Sequence, residues 1–214
     1  MTFSTFNFDT PSKKSGGLIY LVDDDQAVRD SLRTLLETIG YHVEDFDSGE
    51  LFLAKFDPNA VAVLLLDVRM QGMSGTEVQE HLIARKANLP IVFLTGHGDI
   101  QMAVSALKKG AADFLQKPLQ PDQLIPILDK LLKEAANKQT EAKNQLNNAS
   151  LLAKLTPRER QVLDCIVRGR LNKQIADDLR ISIKTVEAHR ASIMDKTDSK
   201  TVADLMRVVL GAQG

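Results

Sequence analysis

From residue 18 to about residue 135, short apolar runs rich in β-branched residues alternate with stretches whose apolar positions recur every three or four residues. The runs LIYLV (18–22), YHVEDF (41–46), VAVLLL (61–66), PIVFLT (90–95) and ADFLQ (112–116) predict strands. Between them, Val28, Leu32, Leu35, Leu36 and Ile39 fall on one helical face, as do Val78, Leu82 and Ile83, and then Met102, Ala103, Ala106 and Leu107. Strands this apolar are buried on both sides, and helices between them supply the cover. The pattern therefore predicts five βα units in a doubly wound α/β fold with a five-stranded parallel sheet.

The pattern changes at EAANKQTEAKNQLNNAS (134–150), which has few large apolar residues and predicts a helical extension passing into a polar linker. Beyond it no strand pattern occurs. LTPRER places Thr156 as an N-cap, Pro157 at the first helical position and Glu159 where it closes a capping box. Four helices are expected, at about 157–168, 172–179, 183–196 and 200–210, with Gly169 breaking after the first and Asn172 and Ser182 capping the next two. The expected organisation is a disordered leader (1–15), an α/β domain (16–135), a partly helical linker (136–152) and a smaller all-α domain (153–214).

Composition adds three constraints. With 214 residues, 43% of them hydrophobic, the chain can supply a core for each of two domains. No apolar stretch approaches the roughly 20 residues of a membrane span, and MTFSTFNFDTPSKKSGG lacks the order of a signal peptide. One cysteine, Cys165, on an apolar helical face, and four scattered histidines argue against disulfides and a zinc site, and for a reduced, cytoplasmic protein. The net charge of −1 conceals an asymmetry: residues 1–150 carry 15 Lys+Arg against 20 Asp+Glu, and residues 151–214 carry 12 against 8. The two halves therefore favour different partners, and the basic second half is suggestive of nucleic acid.

The first strand runs straight into Asp23, Asp24 and Asp25. Like charges about 4 Å apart repel by roughly 4 kcal/mol at an effective dielectric near 20, so something positive is expected nearby. A second buried run, VAVLLLD, ends in Asp67. In open α/β sheets ligands collect beyond the carboxyl ends of the strands, and neighbouring strands would bring Asp23, Asp24 and Asp67 to one rim. Such a cage of oxygens suits a hard divalent cation such as Mg²⁺. Asp25 precedes a helix and fits the role of its cap. Thr95 and Lys117 end two further strands and add a hydroxyl and an ammonium, the groups that a phosphoryl group on Asp67 would need around its oxygens.

The pieces VDDD, LLLDVRMQGMSG, FLTGHGD and DFLQKP, in this order and spacing, resemble a bacterial response-regulator receiver domain of flavodoxin-like fold. The resemblance implies Asp67 as phospho-acceptor, Asp24 as a direct Mg²⁺ ligand, Asp23 as a ligand mainly through water and the Arg69 backbone carbonyl as a third protein ligand. It further implies that Thr95 and Lys117 bind phosphoryl oxygens and that Phe114 rotates inward after Thr95. Arg69 and His97, two residues beyond Asp67 and Thr95, are expected to tune the lifetime of the phosphorylated form. Two departures stand out: Gln71 replaces a usual proline, and Pro126 interrupts DQLIPILDKLL.

In NKQIADDLRISIKTVEAHRASIMDK a short helix, a tight turn near Arg180–Ser182 and a longer helix predict a helix-turn-helix, with Ile175, Leu179, Ile181, Val186 and Ile193 as core. LTPRERQVLDCIVRGRLNKQIADDLRISIKTVEAHRASIMDK resembles the LuxR-type DNA-binding domain, with Thr197 standing where an apolar residue is common. Together the two halves resemble the FixJ/NarL response regulators, nearest the FixJ branch. That resemblance implies base-edge or phosphate contacts by Lys184, Thr185, Ala188 and His189 and backbone contacts by Lys173 and Arg190. It also implies a sensor histidine kinase, promoter DNA, RNA polymerase and a phosphorylation-dependent homodimer as partners, and no enzyme activity beyond the domain's own phosphorylation and dephosphorylation. Two rivals are an aspartyl-nucleophile phosphatase, which would usually carry an aspartate at position 69, and a ligand-sensing LuxR-type regulator, which would need an apolar signal pocket.

Overall fold

The computed structural model describes residues 17–96 and 100–212, with the side chains of residues 100–103 left aside; the expected leader and His97 lie outside the described residues. The chain divides into two compact units, Met1–Gln139 and Thr140–Gly214.

In the first unit, strands β1 (Leu18–Val22), β2 (His42–Phe46), β3 (Ala62–Asp67), β4 (Ile91–Thr95) and β5 (Asp113–Gln116) form one sheet in the order β2-β1-β3-β4-β5. All four pairings are parallel. Side chains alternate across the strands, so each feeds two cores. Ile19, Leu21, Val63, Leu65, Val92 and Leu94 pack under Leu32 and Leu36 of α1 (Gln26–Ile39) and Leu124, Leu128, Leu131 and Leu132 of α5 (Pro121–Ala153). Tyr20, Val22, Leu64, Leu66 and Phe93 pack on the other face under α2 (Gly49–Lys55), α3 (Gly75–Ala84) and α4 (Ile100–Lys108) through Phe52, Leu53, Val78, Leu82 and Ala106. Burying a side chain of this size stabilises the fold by about 1.5–3 kcal/mol, which is why the apolar runs sit at the centre of the sheet.

One expectation about this unit changes, and two further features stand beside it. Helix α2 carries no clear periodicity in sequence because it is only seven residues long and buries Phe52 and Leu53 as its large side chains. The stretch 136–152, expected to be only partly helical, is helix throughout, since α5 continues to Ala153. Its Ala, Lys, Gln and Glu content gives high helix propensity even without an apolar stripe. Pro126 lies within α5 near its start, so one backbone N–H is missing there while the helix continues.

The second unit contains α6 (Pro157–Val167), α7 (Asn172–Leu179), α8 (Ile183–Lys196) and α9 (Val202–Gly211). Leu155, Val162, Leu163, Ile166, Ile175, Val186, Ile193, Leu205 and Val209 form its core, with Leu179 and Ile181 packed against it. Thr156 caps α6 in a capping box with Glu159, and Ser182 caps α8 by accepting from the Thr185 N–H. Asn172 is not a cap: it is the first residue of α7, Leu171 is the N-cap, and the Gln174 side chain accepts from the Leu171 N–H at 2.9 Å. Thr197 is buried with its hydroxyl satisfied by the Ile193 carbonyl at 2.7 Å and the Ser199 hydroxyl at 3.0 Å, so a polar residue is accommodated there. No helix among the described residues is long and apolar enough to cross a membrane.

Candidate functional site

Strand order places the ends of β1 and β3 side by side, with β4 and β5 beyond them. This brings Asp23, Asp24 and Asp67 together: one carboxylate oxygen of each lies within 4.8 Å of the others. Asp23 is fully buried, Asp67 is 7% exposed, and Asp24 is open to solvent. The positive partner that the acidic run requires is Lys117, whose Nζ lies 2.6 Å from Asp23 Oδ2 and 3.2 Å from Asp67 Oδ1. Asp25 stands apart from the cage and caps α1, accepting from the N–H groups of Ala27 at 2.8 Å and Val28 at 3.3 Å.

One ammonium between two buried carboxylates leaves an excess of negative charge. Burial pushes the Asp67 carboxyl above the ordinary carboxylate range; Lys117 opposes this, and Asp23 reinforces it. Burial alone would lower the Lys117 pKa, but its hydrogen bond and attraction to Asp23, and then Asp67, raise it. These hard oxygen donors, partly buried and under-neutralised, fit a divalent cation, and the solvent-exposed Asp24 leaves an approach for one. Both Asp23 oxygens already accept hydrogen bonds, Oδ1 from the Asp25 N–H at 3.0 Å and Oδ2 from Lys117.

The Thr95 hydroxyl is buried and donates to the Leu115 carbonyl at 3.4 Å, while the Thr95 carbonyl accepts from the Lys117 N–H at 2.8 Å. Phe114, on β5, is 36% exposed. Arg69 is an exposed residue in the loop following β3.

Two residues that follow β3, one in that loop and one at the start of α3, carry more than the sequence pattern reveals. The Gln71 N–H donates to Asp24 Oδ2 at 2.9 Å, a bond that proline could not make. Gly75 opens α3 against the end of β3: its N–H donates to the Val68 carbonyl at 3.1 Å, and a Cβ there would lie 2.2 Å from the Asp67 carbonyl oxygen. The collision would be with backbone, so Gly75→Ala is expected to displace the segment carrying Asp67 and to cost about 2 kcal/mol, within the range for overpacking. Urea unfolding of the variant checks this; a midpoint equal to that of the parent would refute it.

In the second unit, α7, the turn at Arg180 and α8 form the helix-turn-helix. Arg180 adopts the left-handed conformation, φ 53°, that turns the chain. Lys184 and Ala188, four residues apart, lie on the exposed side of α8, opposite the buried Val186 and Ile193. Thr185 and His189 flank that strip half-buried, and the Thr185 and Ser182 hydroxyls lie 2.7 Å apart. Arg190 is half-buried on the other flank, roughly 120° from Lys184 at about 100° per residue, and so does not share the strip. Lys173 is exposed in the first turn of α7.

Comparison with known proteins matches each unit separately. Residues 19–129 match the family described as response regulator receiver domain, and residues 153–209 match bacterial regulatory proteins, luxR family. The transcriptional regulatory protein FixJ of Bradyrhizobium diazoefficiens is 37% identical over 92% of this chain and 96% of its own length. TdiR of Thauera aromatica, a transcriptional regulatory protein, is 44% identical over 90% of this chain and 85% of its own. Among solved structures, the response regulator StyR matches with a TM-score of 0.83 at 43% identity, covering 90% of this chain and 97% of its own. Full-length FixJ from B. japonicum matches with a TM-score of 0.55 at 37% identity, covering 92% and 97%.

Proposed function

Because the chain belongs to the FixJ-type response regulators, transcriptional regulators that join a receiver to a LuxR-type DNA-binding domain, we propose that a phosphoryl group on Asp67 gates its binding to promoter DNA. The observation that carries this reading is the cage itself: three carboxylates within 4.8 Å and one lysine bridging two of them.

In the proposed reaction the phosphorus–nitrogen bond of a phosphohistidine on a sensor histidine kinase breaks as an Asp67 oxygen bonds to phosphorus. Asp24, Asp67 and the Arg69 carbonyl would hold Mg²⁺, with Asp23 reaching it mainly through water. The ion, when bound, supplies positive charge against the transferring phosphoryl oxygens. Lys117 is already drawn to the Asp67 oxygen and needs only to follow the new charge outward. Thr95 exchanges the weak bond to the Leu115 carbonyl for one to a phosphoryl oxygen, and Phe114 turns inward after it. Arg69 tunes the attack of water that ends the signal.

The change around β4, α4 and β5 then favours a dimer through the 99–135 face, which sets two α8 helices on half-sites about one DNA turn apart. Lys184, Thr185, Ala188 and His189 meet bases or phosphates, Lys173 and Arg190 the backbone. The regulator acts in the cytoplasm, with RNA polymerase as the downstream partner, and activates transcription. Selection of DNA from a random pool tests the gating. With beryllium trifluoride and Mg²⁺ present, paired half-sites are expected to enrich; equal enrichment without the phosphoryl mimic would overturn it.

A further inference from the structure

Arg29 lies on α1, one turn beyond the Asp25 cap, and its side chain is only 13% exposed. Its Nη1 donates to the backbone carbonyl of Asp23 at 2.7 Å, and its Nε lies 3.4 Å from Asp45 Oδ2 at the end of β2. Asp45 is held in turn by Arg33, whose Nη2 lies 2.8 Å from Oδ1. The Asp23 N–H donates to the Phe46 carbonyl at 3.2 Å, so the end of β2 supports Asp23 on both sides.

The Asp23 carbonyl shares a rigid peptide plane with the Asp24 nitrogen and Cα. Anchoring that carbonyl therefore fixes where the Asp24 side chain begins. Two like-charged neighbours, one buried and one exposed, would otherwise relax by rotating this peptide and carrying the exposed carboxylate away from Asp67. Arginine is suited to the task because its planar fork can serve a carbonyl and a carboxylate together, which a lysine ammonium on a flexible stem does poorly.

We infer that Arg29 is a positioning residue of the cation site: by bridging the Asp23 carbonyl and Asp45 it holds the Asp23–Asp24 peptide in the orientation that keeps Asp24 facing Asp67. The inference rests on the reading of Asp23, Asp24 and Asp67 as the ligands of a divalent cation. Removing the guanidinium has two opposing effects, because loss of positive charge attracts a cation while loss of the bridge disperses its ligands. Arg29→Lys separates them, since it retains the charge and loses the fork.

Mn²⁺ binding to the full chain, followed by the electron paramagnetic resonance signal of the free ion, tests this directly. Arg29→Lys is expected to raise the dissociation constant about tenfold, in the range seen when groups orienting a metal ligand are removed. Asp45→Asn is expected to reproduce part of that loss, and the double variant to lose less than the two effects added together. In phosphorylation by acetyl phosphate, the Mg²⁺ concentration giving half-maximal rate should rise in Arg29→Lys while the rate at saturating metal stays within about twofold, a split that general loosening of the fold would not produce. An unchanged Mn²⁺ affinity in Arg29→Lys with normal binding by the parent would overturn the role of Arg29 alone. No Mn²⁺ binding by the parent would instead overturn the cation site on which it rests.

Discussion

Asp67→Asn is expected to take up no acid-labile phosphoryl group from acetyl phosphate and Mg²⁺, under conditions that label the parent chain. The reason is chemical rather than steric: the amide has nearly the same shape, but it lacks the anionic oxygen that must bond to phosphorus. The same substitution should leave the fold intact and raise its melting temperature in metal-free buffer. Asp67 and Asp23 are both buried and share one ammonium, so removing one negative charge relieves a repulsion and leaves Lys117 to Asp23, 2.6 Å away. Lost phosphorylation together with a higher melting point would identify a site strained for function rather than for stability. Persistent label on the variant would refute Asp67 as the acceptor, and a lower melting point would refute the charge argument.

Much of this was legible in the sequence because the relevant signals are local. Strands buried on both faces must be apolar throughout, and the observed strand bounds, from Leu18–Val22 to Asp113–Gln116, fall within one residue of the expected runs. Asp23, Asp24, Asp67 and Lys117 were recognisable because each follows such a run, and a parallel sheet carries all its strand ends to one rim. The cap formed by Asp25 and the box formed by Thr156 and Glu159 were recognisable for a similar reason, since partner and acceptor lie within three residues.

What escaped is long-range or made by backbone atoms. Arg29 is one of several charges on α1, and only the fold reveals that it reaches back to the Asp23 carbonyl and across to β2. Gln71 marks a departure from the usual proline, yet its contribution is an N–H to Asp24 that the side chain does not announce. Gly75 left a faint trace, a glycine directly after the Ser74 cap where no left-handed turn demands one; the close approach of the Asp67 carbonyl explains it. Asn172 misled because its side chain suits a cap, whereas Gln174 satisfies the Leu171 N–H from inside the helix.

Glu159 illustrates how a capping residue also becomes the centre of a domain, and it carries the second large prediction. Its carboxylate, on α6, accepts two hydrogen bonds from Lys196 at 2.7 and 2.8 Å and one from Ser192 at 2.7 Å, both on α8, as well as the Thr156 N–H at 2.7 Å. First Lys196, then Ser192 and Thr156, hold its pKa down at about 2, against an ordinary 4.5. A carboxyl whose folded pKa is depressed stabilises the fold fully above its unfolded value and loses that contribution as pH falls through the folded value. The helical domain should therefore lose stability between about pH 4.5 and pH 2. Glu159→Gln should lack this share of the pH dependence and be less stable at neutral pH by roughly 2 kcal/mol, because a neutral amide places N–H donors where Lys196 and Ser192 already donate. For a domain of this size the loss corresponds to a melting temperature lower by about 8–16 °C. DNA affinity should fall with it, since the same bonds fix α8 against α6. Thermal melts of both proteins from pH 7 down to pH 2 check the argument: curves that remain parallel throughout, or a Gln variant as stable as the parent at neutral pH, would show that Glu159 is only a cap.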